Sequence, residues 1–364
     1  MKLAHALLAS AAVFASALVA FPQTPEPTPT PQAGRRPDEP RAGLTAPTGA
    51  DEEPGPGQPR GFRFRNIGPA SGGGRITAIA SIPGNPNVIY LGSASGGIFK
   101  TVDSGGSWKA IFDKYPPSIG AIAISPANPN LIWVGTGEAN PRNNVIDGHG
   151  VYFSPDAGAS WRFMGLGDAG AISRVLIDPH DPNRVFVAVL GNIWKPSATR
   201  GVYRTTDGGA TWKKVLSVDD QTGASDLVMQ PNNSMVLLAG TWQFRRFPWE
   251  FVGGGPGSGV WKSTDGGSTW RRLEKDMPEG TLGRVSLAIA PSNGDHVYAL
   301  IHAKKGILYE SKDLGEKWER TSETRLINVR PWYFSVIAVS PADENKLYFG
   351  SFNLVTSIDA GKTF

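Results

Sequence analysis

One eight-residue pattern, Ser/Thr-x-Asp-x-Gly-x-x-Trp/Phe, occurs six times in the 364 residues, and no other feature limits the possible folds so sharply. The copies begin at Thr101, Ser154, Thr205, Ser263, Ser311 and Ser357. Their aspartates are Asp103, Asp156, Asp207, Asp265, Asp313 and Asp359. The spacing is roughly 50 residues, the length of a supersecondary unit that buries its apolar face only against copies of itself. Each copy reads as a tight turn. The carboxylate accepts hydrogen bonds from turn amides, and the glycine admits a positive φ. The aromatic opens the next strand and packs between units, taking ~150–250 Å² out of water. Six equivalent aspartates, one per unit and held around a ring, suit this architectural role and not a shared catalytic centre.

A second pattern precedes each turn. Ile124–Trp133, Ile177–Phe186, Ile289–Tyr298 and Val339–Tyr348 each hold a short apolar run, a turn rich in Pro, Asn and Asp, and a second apolar run. Such runs are strands. The first unit is expected to place strands at about 76–82, 88–93, 97–102 and 108–112. Four strands in a unit of this length make a propeller blade. Composition agrees: 45 glycines and only 19% charged residues favour short strands and tight turns over amphipathic helices. The expected fold is all-β, a β-propeller of about six four-stranded blades that either stands alone or forms part of a larger propeller. The chain stops at Phe364, the aromatic of the sixth turn. The last outer strand is therefore expected either from residues 62–66 or from a propeller that is C-terminally incomplete here, the second being preferred.

The turn is the Asp box. The boxes resemble those of sialidases, of the sortilin/Vps10 propeller and of the family 74 xyloglucanases. From about residue 62 onward the chain is similar to bacterial exported BNR-repeat proteins described as glycosyl hydrolases. Phe64–Pro69, Gly72–Arg75, Gly135–Asn140 and Gly253–Gly259 carry that closer likeness. The resemblance implies a propeller, but Asp boxes occur in enzymes, receptors and assembly factors alike. Two departures bear on catalysis. Arg65-Asn-Ile-Gly-Pro69 is not the sialidase Arg-Ile-Pro motif, and the family 74 general-base position falls on Ala94.

The termini and composition narrow the biology. Residues 1–20 read as a signal peptide, with Lys2 ahead of an apolar run and a small-residue cleavage site. Export to the periplasm or the extracellular space follows, with no membrane insertion after cleavage. Residues 21–60 contain eleven prolines and few large apolar side chains, and are expected to be a disordered linker. Residues 61–364 form the propeller. The chain has no cysteine, which excludes a lipoprotein anchor, disulfides and thiolate metal sites. The five histidines are isolated, so no metal or other cofactor is expected. A net charge of +4 without a basic run gives no support for nucleic-acid binding.

Function should sit in the loops joining the second and third strands of each blade, on the face opposite the boxes. Three of these are long: 138–150, 191–200 and 242–259. They offer Asn140, Arg142, Asn143, Trp194, Arg200, Trp242, Arg245, Arg246 and Trp249 as ligand-binding candidates. Trp faces stack on sugar rings, and Arg pairs clamp carboxylates of a sugar or a peptide. Glu138, with Asp147 or Glu250, is the candidate carboxylate pair for glycoside cleavage. The preferred expectation is a propeller that binds a glycan or an extended peptide. A glycoside hydrolase acting on a polysaccharide is the alternative, and an assembly platform ranks third.

Overall fold

Strands Ile76–Ile82, Asn85–Ser93, Ile98–Thr101 and Lys109–Ala110 pair antiparallel in chain order, and the arrangement then repeats. The computed structural model describes residues 75–305, 307–333 and 335–364. All lie in the second of two units, Phe64–Phe364. The signal-peptide and linker readings, and residues 62–66, fall outside the described residues. Five sheets have four strands, and the sixth has three among the described residues: Val336–Val339, Leu347–Gly350 and Leu354–Ser357. The result is an all-β propeller of six blades, with strands A to D counted outward from the axis in each.

The A strands are Ile76–Ile82, Ile119–Ile124, Ala171–Ile177, Thr222–Gln230, Val285–Ala290 and Val336–Val339. Five apolar layers fill the spaces between consecutive blades. Tyr90, Ile98 and Phe112 of blade 1, for example, meet Ile132, Val134 and Trp161 of blade 2. Box aromatics enter these layers as expected. The indole of Trp161 donates to the Ile111 carbonyl (2.9 Å) and that of Trp212 to the Met164 carbonyl (2.7 Å), each on the preceding blade. Trp108 and Phe364, in the first and last blades, remain 41% and 40% exposed.

Each box is a closed hydrogen-bond circuit. In blade 3, the Thr205 hydroxyl donates to Asp207 Oδ1 (2.7 Å) and accepts from the Gly209 amide (2.9 Å). The carboxylate then takes the Thr211 amide (2.9 Å) and hydroxyl (2.5 Å). The residue after each aspartate also has φ between 56° and 67°, and its amide caps the A–B turn of its own blade. Two consecutive left-handed residues thus turn the chain, not the glycine alone. Only glycine adopts that conformation freely, which explains why the second of the two is always Gly.

Around the axis a small residue on the A strand of each of blades 1 to 5 meets the next blade. Thr77 donates to the Ile119 carbonyl (2.5 Å), Ser173 to that of Ala224 (2.7 Å), Ser225 to that of Val285 (2.7 Å) and Ser286 to that of Ser335 (2.5 Å). Thr77, Ser173 and Ser225 stand at register shifts of their A–B pairs, where an extra residue re-aims its side chain. The position in blade 2 is Gly120, where a Cβ would lie 2.0 Å from the Ile172 carbonyl oxygen.

Candidate functional site

The long B–C loops of blades 2, 3 and 4 meet on the face opposite the boxes, because the strands they join end there side by side. Loop 4 contains a two-residue hairpin, Arg245–Arg246 against Phe251–Val252. The Arg246 amide donates to the Ile193 carbonyl of loop 3 (2.9 Å), and its guanidinium to Asn143 of loop 2. Beneath them lies an apolar layer of Ala139, Ile193, Trp242 and Phe244, extended by Trp194, Phe251 and Trp332. Trp242 and Phe244 stack at 4.5 Å. Trp332 belongs to a fourth segment, the connection from blade 5 to blade 6.

The nine candidate ligand-binding residues divide into two groups. Arg200 and Trp242 are buried and offer a ligand no surface. The Arg200 guanidinium donates to the carbonyls of Asn192, Gln221 and Phe244 and lies 4.5 Å from the Phe244 ring. Burial lowers its pKa to about 10, so it stays charged at neutral pH and fastens loop 3 to loop 4. The Trp242 indole donates to the Gly253 carbonyl (3.1 Å). Asn140 accepts from Arg284 (2.8 Å), a buried arginine whose Nε has no partner. The other six line the face. Trp249 is 81% exposed and stacks on Phe247. Arg245 covers the other ring contact of Phe247 at 4.4 Å and donates to the Trp194 carbonyl. Asn143 is exposed, and Arg246 is half-buried. Arg142 reaches across to Tyr333, donating to its hydroxyl (2.8 Å) and lying 4.9 Å from its ring.

The three candidate carboxylates are not alike. Glu138 is buried, and both its oxygens accept from Arg75 in a forked pair. Asp147 and Glu250 are exposed, and neither forms an ion pair among the described residues. A further carboxylate, Asp226, lies beside the axis. It is bound by Arg174 (2.7 Å) and accepts the Leu287 amide of the next blade (2.9 Å), so it joins blades 3, 4 and 5. Two arginines near the axis are therefore neutralised. Arg142, Arg245, Arg246 and Arg284 form no ion pair among the described residues.

Sequence reasoning missed Arg284, Trp332 and Tyr333. Arg330-Pro-Trp-Tyr333, an aromatic run in an unusually long D–A connection, was the available signal. Nothing in the sequence ties Arg284 to Asn140, since 144 residues separate them. Among the described residues no group of acidic and histidine side chains could hold a metal ion, and no helix is long and apolar enough to cross a membrane.

Comparison with known proteins agrees with this architecture. The BNR/Asp-box repeat model matches residues 203–214. The xyloglucanase Xgh74A of Acetivibrio thermocellus is 30% identical over 176 residues, covering 41% of this chain and 19% of that protein. The chain thus matches about a fifth of the length of that curated relative. Among solved structures, a GH74 enzyme from Niastella koreensis superposes with a TM-score of 0.59 at 18% identity, over 78% of this chain and 45% of that one. YCF48 bound to D1 peptide superposes with a TM-score of 0.50 at 16% identity, over 79% of this chain and 80% of that one. The chain is a BNR/Asp-box repeat β-propeller, similar in sequence to a xyloglucanase and in fold to GH74 enzymes.

Proposed function

We propose that this propeller is exported and acts on polysaccharide, gripping a glycan chain across the loop face and belonging functionally with the glycoside hydrolases. The similarity to xyloglucanases carries this reading. The face supports it: Trp249 offers a stacking surface, and Asn143, Arg142, Arg245 and Arg246 stand beside it as hydrogen-bonding groups. A second reading, capture of a glycan without cleavage by this chain, is favoured by one observation. Glu138, the buried carboxylate of the face, has both its oxygens engaged by Arg75, which leaves neither free to meet a glycosidic bond.

Reducing-sugar release from a polysaccharide panel, run beside a binding assay, separates the two. Release that disappears in Glu138→Gln assigns cleavage to this residue. Release unaffected by that change removes Glu138 from the chemistry and directs attention to Asp147 and Glu250. Binding without release establishes the second reading. Neither binding nor release from a cooperatively melting sample overturns both.

A further inference from the structure

Two adjoining depressions, of about 380 and 430 Å³, open on the loop face between blades 4 and 5. His302, Ala303, Lys304, Arg325 and Trp332 line both. The shared lining makes them one cleft, formed by the B–C loop of blade 5, the glycine-rich end of loop 4 and the segment following Ser322. None of the residues expected from sequence to bind ligand lies in it.

Three features of the cleft point to one kind of ligand. The first is charge. Lys304, Lys305 and Arg325 are exposed and form no ion pair among the described residues. The one acidic residue in the lining, Glu323, is already engaged by Arg320. Burial depresses the His302 pKa, so that ring adds no charge at neutral pH. The second is an acceptor without a donor. Asn328 lines the deeper depression and is 5% exposed, and its Oδ1 has no hydrogen-bond partner. An orphaned buried acceptor destabilises the fold, and a ligand hydroxyl reaching it would relieve that cost. The third is Trp332, half-buried, which supplies an apolar wall to both depressions.

A carboxylate alone answers the cations but not Asn328, and a neutral sugar answers Asn328 but leaves the cations unused. A carboxylated sugar answers all three. We propose that this cleft is a subsite for the uronate residues of an acidic polysaccharide. Lys304, Lys305 and Arg325 receive the carboxylate, Asn328 accepts a ring hydroxyl, and Trp332 packs on the sugar face. The inference rests on the glycan reading above and adds the charge class of the ligand. An acidic peptide presents carboxylates on flexible side chains without vicinal hydroxyls, so it meets the first condition only.

The test measures binding of the whole chain to de-esterified polygalacturonate by calorimetry. Methyl-esterified pectin, xyloglucan, dextran sulfate and polyglutamate are the comparison ligands. Polygalacturonate is expected to bind at least about tenfold more tightly than its methyl ester, as expected for charge-assisted hydrogen bonds. Lys304→Gln/Lys305→Gln should remove most of that preference, and Asn328→Leu should weaken polygalacturonate without changing dextran sulfate. The lysines are exposed, so the double variant should keep the wild-type melting temperature. Equal binding of ester and acid overturns the proposal. So does equal binding of polyglutamate or dextran sulfate, which would mean plain attraction of polyanions. Xyloglucan bound with polygalacturonate ignored overturns this inference and leaves the glycan reading standing, whereas silence from every polysaccharide overturns both.

Discussion

The box works because a hydroxyl sits at each end of it. In blade 3, Thr205 is buried and is the acceptor for the Gly209 amide. Thr205→Val keeps the shape and strands that amide, and should cost about 1–3 kcal/mol in denaturant unfolding. Blade 5 shows the same logic in reverse. Lys317 stands where the other five boxes have Ser or Thr, so Asp313 receives the Ser311 hydroxyl and the Lys317 amide but lacks the second hydroxyl. Lys317→Thr should raise the melting temperature. The boxes also set the acid limit of the fold. Hydrogen bonds lower five carboxylates from 3.8 to about 2, those of Ser107, Ser160, Thr269 and Thr363 leading for four and that of Thr205 for Asp207. A depressed folded pKa contributes stability that is present above the unfolded value and disappears as pH falls through the folded one. Thermal melts should therefore be insensitive to the boxes above about pH 4 and deteriorate between 4 and 2. The six aspartates were legible from sequence. The left-handed residue after each was not, because Ser104, Ala157 and Leu314 carry no mark of it and adopt φ near +57° only because the A–B turn accepts their amides.

Strands and turns were legible to within a few residues, since their alternation and Pro/Asn turns are local properties. How the A strands abut was not. Gly120 reads as an unremarkable strand glycine, yet the Ile172 carbonyl of blade 3 comes so close that a Cβ would lie 2.0 Å from its oxygen, and the Gly137 carbonyl of its own blade leaves only 2.3 Å on another side. Gly120→Ala should destabilise by ~3 kcal/mol or leave the chain unfolded, while Ser173→Ala, which removes one inter-blade hydrogen bond, should cost only about 1 kcal/mol. Comparing the two melting temperatures tests whether steric closeness or hydrogen bonding sets the spacing of blades. Arg200 belongs to the same scale. A charged loop residue looks like a ligand contact in the sequence, and becomes a loop fastener only when three carbonyls from separate segments converge on it.

Across the whole molecule, the boxes occupy one face and the long loops the other, so a change in the loops need not disturb the ring. Trp249→Ala should leave the melting temperature unchanged and weaken glycan binding by about tenfold, ~1.4 kcal/mol, the order of one lost stacking surface. If the melt falls instead, Trp249 is a structural residue and the grip lies elsewhere on the face.

The sequence by itself determined the blade, its period and the face that carries the loops, because each follows from interactions within about 50 residues of chain. Tertiary structure alone decided which loop residues are free. Glu138 meets Arg75 across 63 positions, Arg142 meets Tyr333 across 191, and Asn328 is left without a donor by packing that no local pattern encodes. Strand and turn preferences are short-range free energies written in neighbouring residues. Pairing and orphaning of polar groups depend on which distant segments closure of the blades brings together.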